Sequence, residues 1–407
     1  DWLDFLGEMD VQEEKAREMI QFLVTIGELD KKLWEQEKRL WSSQFIDGIA
    51  SVYDKRVGEI PDKYSFRDGN TQSKVKGSKA KNSKSRTILV TGGAGFIGSL
   101  LIDNLLKKGD NIVCIDNLNE FYNPSIKKLN QVNHYEYDHY EFYEGDILDE
   151  GLVKSIFKNH DIEIVIHLAA MAGVRPSIGN PSLYTRVNII GTRIILDAMV
   201  KSNVERLIFA SSSSVYGNNK KIPFFEADSV DRPISPYAAT KKMGELLCHA
   251  YHHNYELNIS LLRFFTVYGP RQRPEMAIHQ FVRNALNGEP IIVFGNGLTA
   301  RDYTYIDDII NGIIQSIESD DRYMVYNLGN SEPIKLSNLI SMIAKITGIN
   351  PVIEYQEIPK GDVIQTYADI NRAQNNLKYD PKTDIKNGIS KFVKWYKSMK
   401  NTYEDVY

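Results

Sequence analysis

From Thr87 onward the chain alternates short apolar runs with stretches whose apolar residues recur every three or four positions. TILVTG, NIVCID, IEIVIHLAA and RLIFASS read as strands, while 97–108, a stretch near 150–158 and about 181–202 read as helices. Strand and helix in alternation predict a doubly wound α/β fold, a parallel sheet covered on both faces. Residues 1–70 carry another pattern. Leu29, Leu33, Leu40, Ile46, Ile49 and Tyr53 recur at roughly helical spacing, and Trp34 and Trp41 widen the stripe. A helical extension with a packing face is expected there. Its net acidity argues against a membrane-surface role. No internal repeat interrupts either part.

Between the two, TQSKVKGSKAKNSKSR (71–86) sets five lysines and an arginine among small polar residues with almost nothing to bury. This reads as a solvated basic linker, 71–85. No aromatic residue interleaves its charge, which speaks against a nucleic-acid or lipid tether. A length of 407 residues suits two or three domains, and 42% apolar with 25% charged residues is a globular composition. The net charge of −4 makes no case for nucleic-acid binding. No apolar run approaches bilayer length and no signal-peptide pattern is present, so membrane insertion is not expected. Cys114 and Cys248 are the only cysteines, which points to a reducing, cytoplasmic setting. The chain begins with Asp1 rather than methionine, as a processed product or a piece of a longer chain would.

The first strand leads into chemistry. TILVTGGAGFIGSLLIDNLL (87–106) is an apolar strand, a glycine turn and an amphipathic helix, with Gly92, Gly95 and Gly98 three apart. Glycine permits the tight turn and lets a pyrophosphate approach the backbone at the positive end of the helix. The next strand ends in Asp116, whose carboxylate can bind ribose hydroxyls and would repel a 2′-phosphate. NAD is therefore expected over NADP. Asp146 and Ile147 follow a third strand, where a loop can close over adenine.

Further along, Tyr237 and Lys241 in SPYAATKKM share one face of a predicted helix that follows a proline. A free phenol, with a pKa of ~10, is a poor base at neutral pH. A nearby ammonium and the positive nicotinamide ring favour the phenolate. FASSSSVYG (209–217) places four serines at the end of a strand, where a short hydroxyl can hold a sugar alcohol in line for that base. His249, His252 and His253 cluster with no cysteine or paired carboxylates to complete a ligand set, so helix packing or solvent exposure is expected there and no metal.

With these motifs in hand, residues 86–397 resemble the extended short-chain dehydrogenase/reductase family, in its branch of NAD-dependent nucleotide-sugar 4-epimerases. HLAAMAGVR (167–175), RFFTVYGPRQRPEMA (263–277), RDYTYIDDI (301–309) and GDVIQTYADI (361–370) carry the rest of the likeness. The resemblance implies a Rossmann-type domain over 86–264 with a return near 301–328. It also implies a smaller substrate domain over 265–300 and 329–400, and a homodimer built on 181–202 and 236–254. It assigns Ser212, Tyr237 and Lys241 as the catalytic trio. Tyr237 would take the sugar O4 proton as hydride passes from C4 to NAD, and the keto sugar would turn and recover the hydride on its other face. Phe96, Ile97, Asn117, Leu168, Ala169 and Ala170 are implied as further cofactor contacts.

Within that branch, relatives that dehydrate hexoses carry an Asp-Glu pair where this chain has Ser213 and Ser214, so elimination is not expected. Galactose-type epimerases carry asparagine at the position of Thr266. The run Phe-Phe-Thr-Val-Tyr-Gly-Pro followed by Arg273 looks like UDP-glucuronate 4-epimerases. Ser213, Ser214, Thr266 and Arg273 are then the candidate contacts for a C6 carboxylate, with Arg273 on the diphosphate as the alternative. Arg301 and Asp362 match positions that hold the diphosphate and uridine ribose. Pro359 stands where many relatives have a phosphate-binding arginine, leaving Lys360 or Arg175 to substitute. A UDP-glucose or UDP-N-acetylglucosamine epimerase is the runner-up, and a non-catalytic nucleotide-binding scaffold the third reading.

Overall fold

A computed structural model of the chain describes residues 85–404, apart from 358, 360 and 362. The expectations for the extension 1–70 and for the linker up to Lys84 lie outside the described residues. The strands are β1 (Thr87–Thr91), β2 (Asn111–Asp116), β3 (Tyr140–Glu144), β4 (Ile164–His167), β5 (Arg206–Ser212) and β6 (Asn258–Phe264). Then follow β7 (Thr266–Tyr268), β8 (Ile291–Phe294), β9 (Ala300–Tyr305), β10 (Tyr323–Leu328), β11 (Pro333–Lys335) and β12 (Ile353–Gln356). Seven of them form one sheet in the order β10-β6-β5-β4-β1-β2-β3, every pairing parallel. The order reverses at β1, where crevices for ligands open in doubly wound sheets.

Side-chain alternation along each strand feeds two cores. Ile88 and Val90 of β1 pack on one side with Leu101 and Leu105 of α1 (Phe96–Lys108). Leu89 points to the other side, with Val113, Val165, Ile195 and Met199. Helix ends follow local chemistry. Gly109, at φ 88°, closes α1 by donating its N–H to the Leu105 and Leu106 carbonyls. α2 is Pro124–Gln131, and α3 (Glu150–Asn159) is capped by the Asp149 carboxylate accepting from Gly151 and Leu152 N–H.

The predicted helix 181–202 is not one regular element. It comprises a short turn of helix Pro181–Thr185, a π-helical turn Arg186–Gly191, and α4 (Thr192–Lys201). The reason is Asn188. Its side chain accepts from Met171 N–H at 2.8 Å and donates to Met171 O at 3.0 Å and to Thr240 Oγ1 at 2.9 Å. The widened turn lets it reach both. α5 (Pro236–Tyr255) starts where expected, with Pro236 in its first turn and the Ser235 hydroxyl accepting from Ala238 N–H at 3.1 Å.

After β6 the chain builds a smaller layer. β7 pairs with β9 in parallel and β9 with β11 antiparallel, while β8 and β12 form a separate parallel pair. α6 (Ala277–Asn287) and α7 (Ile306–Ile317) cover these strands, and β10 then returns to the edge of the large sheet. No helix among the described residues is long and apolar enough to cross a membrane.

Candidate active site

A cavity of about 840 Å³ opens at the carboxyl ends of β1, β4 and β5 and runs toward the smaller layer. Every residue predicted for the site lines it except Arg175, and Asp362, which lies outside the described residues.

At one end the wall is the glycine turn. Gly92 adopts φ +73°, and a Cβ on it would stand 2.7 Å from the Ala169 nitrogen. A Cβ on Gly98 would stand 2.4 Å from the Gly92 carbonyl oxygen, so α1 seats directly on the turn. Gly95, Phe96 and Ile97 complete this wall, at the N-terminal end of α1. Asp116 accepts N–H bonds from Ala94 at 3.2 Å and Leu118 at 3.0 Å, tying the end of β2 to the turn. Burial raises its pKa, and the positive charge of Lys127 works against that rise.

Lys127 is a site residue that the sequence reading missed. It is buried in α2, lines the cavity, donates to Asn119 O at 2.9 Å and lies 5.0 Å over the Tyr122 ring. Beside Lys128 in a polar helix it carries no sequence mark of burial. Asp146 accepts from Asn117 Nδ2 and from Leu148 N–H, both at 2.9 Å, which shapes the loop after β3. Ile147, Leu168, Ala169 and Ala170 supply an apolar slot beside it.

At the other end the serine run divides. Ser211 turns its hydroxyl away, donating to Glu245 Oε1 at 2.6 Å in a buried cluster where Arg263 grips the same carboxylate by two bonds of 2.8 Å. Ser212 caps the turn Ser213–Tyr216, accepting from Ser214 N–H at 3.2 Å and lying 2.9 Å from Ser214 Oγ. It also hydrogen-bonds the Tyr237 hydroxyl, which lowers the pKa of a phenol that burial raises. The cation acting on Tyr237 in this structure is Arg273. Lys241, expected to tune Tyr237, donates to Ala210 O at 2.7 Å, and burial pushes its pKa down to about 8. Gly244, one turn on, packs against Phe209, where a Cβ would meet the ring at 2.5 Å, holding α5 close to β5.

Thr266, at the start of β7, and Arg273 face this end. Arg273 pairs with Glu275 at 3.0 Å and stands 5.5 Å from the Phe121 ring. Arg301 donates to Ala300 O at 2.9 Å from the far rim. Arg175 is a correction to the sequence reading: it is exposed, outside the cavity lining, with its guanidinium 4.1 Å over the Phe294 ring. Its short helix, Val174–Gly179, turns it toward β8 instead of inward.

A polar chain joins the two ends beneath the cavity. Thr91 Oγ1 accepts from Ala169 N–H at 3.1 Å, leaving its proton for His167 Nδ1 at 2.7 Å. His167 Nε2 then donates to Thr192 Oγ1 at 3.0 Å, and Thr192 donates to Asn188 O at 2.7 Å. Burial, and next the charge of Lys241, push the His167 pKa to about 3, so the imidazole is neutral. Of the histidine cluster on α5, His249 and His252 lie 5.1 and 5.0 Å from the Tyr323 ring, while His253 is exposed. Among the described residues no cluster could hold a metal ion.

A doubly wound sheet, a glycine turn sealed by a strand-end aspartate and a half-buried Ser-Tyr pair with a buried lysine define a dinucleotide-dependent enzyme acting on a secondary alcohol. The chain belongs to the NAD dependent epimerase/dehydratase family, whose model matches residues 88–329. It is 43% identical over 312 residues to the UDP-glucuronate 4-epimerase of Thermodesulfobacterium geofontis, covering 76% of this chain and 95% of that one. UDP-glucuronate 4-epimerase 3 of Arabidopsis thaliana is 39% identical, with 82% of each chain covered. Among solved structures, UDP-glucuronic acid 4-epimerase from Bacillus cereus, in complex with UDP-glucuronic acid and NAD, is similar at a TM-score of 0.73. It is 37% identical, with 77% of this chain and 99% of that chain covered.

Proposed function

We propose that this chain interconverts UDP-glucuronate and UDP-galacturonate by epimerisation at C4, with NAD held at the glycine turn. The observation that carries the reading is the convergence of Ser212, Tyr237 and Arg273 on one end of the cavity whose other end fits a dinucleotide. The fit to NAD rests on the missing Cβ atoms at Gly92 and Gly98, the N-terminal end of α1 and the Asp116 carboxylate. When bound, NAD supplies the acceptor for the C4 hydride and returns it to the opposite face. Tyr237 takes the O4 proton as C4 is oxidised and gives it back on reduction. Ser212 holds O4 in line with the phenol. Lys241 brings positive charge to the cofactor ribose, and Arg273 brings it to the base. The hydroxyls of Ser213, Ser214 and Thr266 and the guanidinium of Arg273 receive the C6 carboxylate. Arg301 and Asp362 hold the nucleotide's diphosphate and ribose, and residues 265–300 and 329–400 form the sugar-nucleotide side.

A homodimer belongs to this reading. Ile190 in the π-helical turn and Met243 and Leu246 on α5 are exposed apolar side chains on the two elements expected to pair.

One observation favours a second reading, a neutral-sugar 4-epimerase. Arg273 already pairs with Glu275, so a sugar carboxylate has to compete with a resident one. Similarity to the UDP-glucose 4-epimerase of Thermotoga maritima, 34% identical with a TM-score of 0.71, points the same way. Incubation with UDP-glucuronate, UDP-glucose and UDP-N-acetylglucosamine, with chromatography of the products, decides between them. UDP-galacturonate formed without added reductant supports the first. Turnover of the uncharged sugars alone replaces it with the second.

A further inference from the structure

Arg273 sits on a loop that begins at Gly269, and Arg271, two residues earlier, faces the other way. Its backbone is at φ +63°, in the left-handed region that non-glycine residues seldom occupy. Its Nη2 lies 3.0 Å from Asp103 Oδ2, and the two side chains are only 15% and 17% exposed. Asp103 is on α1, whose first turn is the dinucleotide wall. The other oxygen of the same carboxylate, Oδ1, lies 2.7 Å from Nε2 of His134, a fully buried ring that also approaches Ser99 O at 3.1 Å. His134 follows α2, the helix that carries Lys127. One carboxylate therefore fastens the cofactor helix to the segment flanking the Asp116 side and to the loop that presents Arg273.

Other contacts brace the same loop from its far side. Gln272 N–H bonds Gly269 O at 3.1 Å, Gln272 Nε2 donates to Val267 O at 3.1 Å, and the Gln272 carbonyl is 2.6 Å from His279 Nδ1. These fix the loop to β7 and α6. Arg273 itself lies 5.5 Å from the Phe121 ring on the cofactor side, and among the loop's ion pairs and hydrogen bonds given above the one that refers it to that side is Arg271–Asp103.

We propose that Asp103 and Arg271 are positioning residues that set the place of Arg273 relative to the bound dinucleotide, and through it the preference for an acidic over a neutral sugar. The inference rests on the reading of Arg273 as the carboxylate contact. Neither residue lines the cavity, so neither touches substrate. Their effect reaches the sugar as a displacement of the guanidinium, and small misplacements of a binding group are costly in rate.

The test uses Asp103→Asn, Arg271→Met, Arg271→Gly and Arg271→Lys in the NAD-loaded full chain. The ratio of kcat/KM for UDP-glucuronate to that for UDP-glucose is expected to fall roughly thirty-fold in the Asn, Met and Gly variants. Arg271→Lys, which keeps a cation for Asp103, recovers most of it. The glycine variant separates the ion pair from the backbone, since glycine accepts the positive φ without strain. An unchanged ratio, or equal loss on both sugars, overturns the proposal. Amide hydrogen exchange over 270–276 is the second readout, independent of the substrate. Faster exchange in Asp103→Asn and Arg271→Met upholds the fastening even if the parent proves to act only on UDP-glucose, an outcome that would sink the carboxylate reading instead. Unchanged exchange overturns the fastening whichever sugar is turned over.

Discussion

At the dinucleotide end the glycine turn presents main chain to the cavity. Gly92, Gly95 and Gly98 leave room, and the Asp116 carboxylate is itself tied to the N–H groups of Ala94 and Leu118. At the sugar end the wall is side chains brought from β5, α5, β7 and the loop of Arg273. Main chain held by a sheet has few alternative positions. Side chains collected from four segments are as exact as their supports. The first end is thus specified by a short stretch of sequence, and the second by tertiary contacts such as Ser211–Glu245, Asn188–Thr240 and Arg271–Asp103.

Substitution can separate the two ends. Tyr237→Phe removes the base and nothing from the glycine turn. The expected outcome is a loss of roughly a thousand-fold in kcat with NAD still co-purifying, read by steady-state kinetics and release of nucleotide on denaturation. Loss of the nucleotide as well would show the ends to be one unit. Arg273→Leu is expected to lower kcat/KM for UDP-glucuronate about thirty-fold, the worth of a charge-assisted bond, and to leave UDP-glucose within a few-fold. Equal losses would move Arg273 to the diphosphate. Gly92→Ala acts at the other end. Strain of about 1–3 kcal/mol at a positive φ, and a methyl against Ala169, should cut NAD content about ten-fold or more, with the phenol in place.

The smallest effect concerns pH. Lys241, pushed down to about 8, carries its charge below that value and loses it above. The rate is therefore expected to fall as pH rises through about 8. Lys241→Arg, which stays protonated, should be slower but lack that alkaline limb. A parent profile flat to pH 10 would remove Lys241's charge from the mechanism.

What could be read from the sequence follows the same division. The strand, turn, helix and strand-end aspartate of 87–116 were legible because each element sets its neighbour's position within a few residues. α1 was expected over 97–108 and spans Phe96–Lys108, and α5 was expected over 236–254 and spans Pro236–Tyr255. Tyr237 and Lys241 were legible through their spacing and Ser212 through the family resemblance, and the structure brings the three to one cavity end. The resemblance singled out Ser212, Ser213 and Ser214, which line the cavity, whereas the buried bond of Ser211 to Glu245 was not legible because Glu245 comes from α5, far along the chain. Lys127 and Asn188 were missed, since burial of a lysine or a widened turn depends on partners far along the chain. Arg175 was misplaced for a related reason: its motif fixes the backbone path, while Phe294 on β8 draws the side chain outward.

The double duty of Asp116 bears on any attempt to redesign the coenzyme preference. Exchanging it for a small or basic residue, the obvious route to accepting a phosphorylated adenosine, would also strip Ala94 and Leu118 of the acceptor that closes the phosphate cradle. A successful switch has to import a new acceptor for those two amides together with the new cation. A single substitution at that position should yield a protein that has lost one coenzyme without gaining the other.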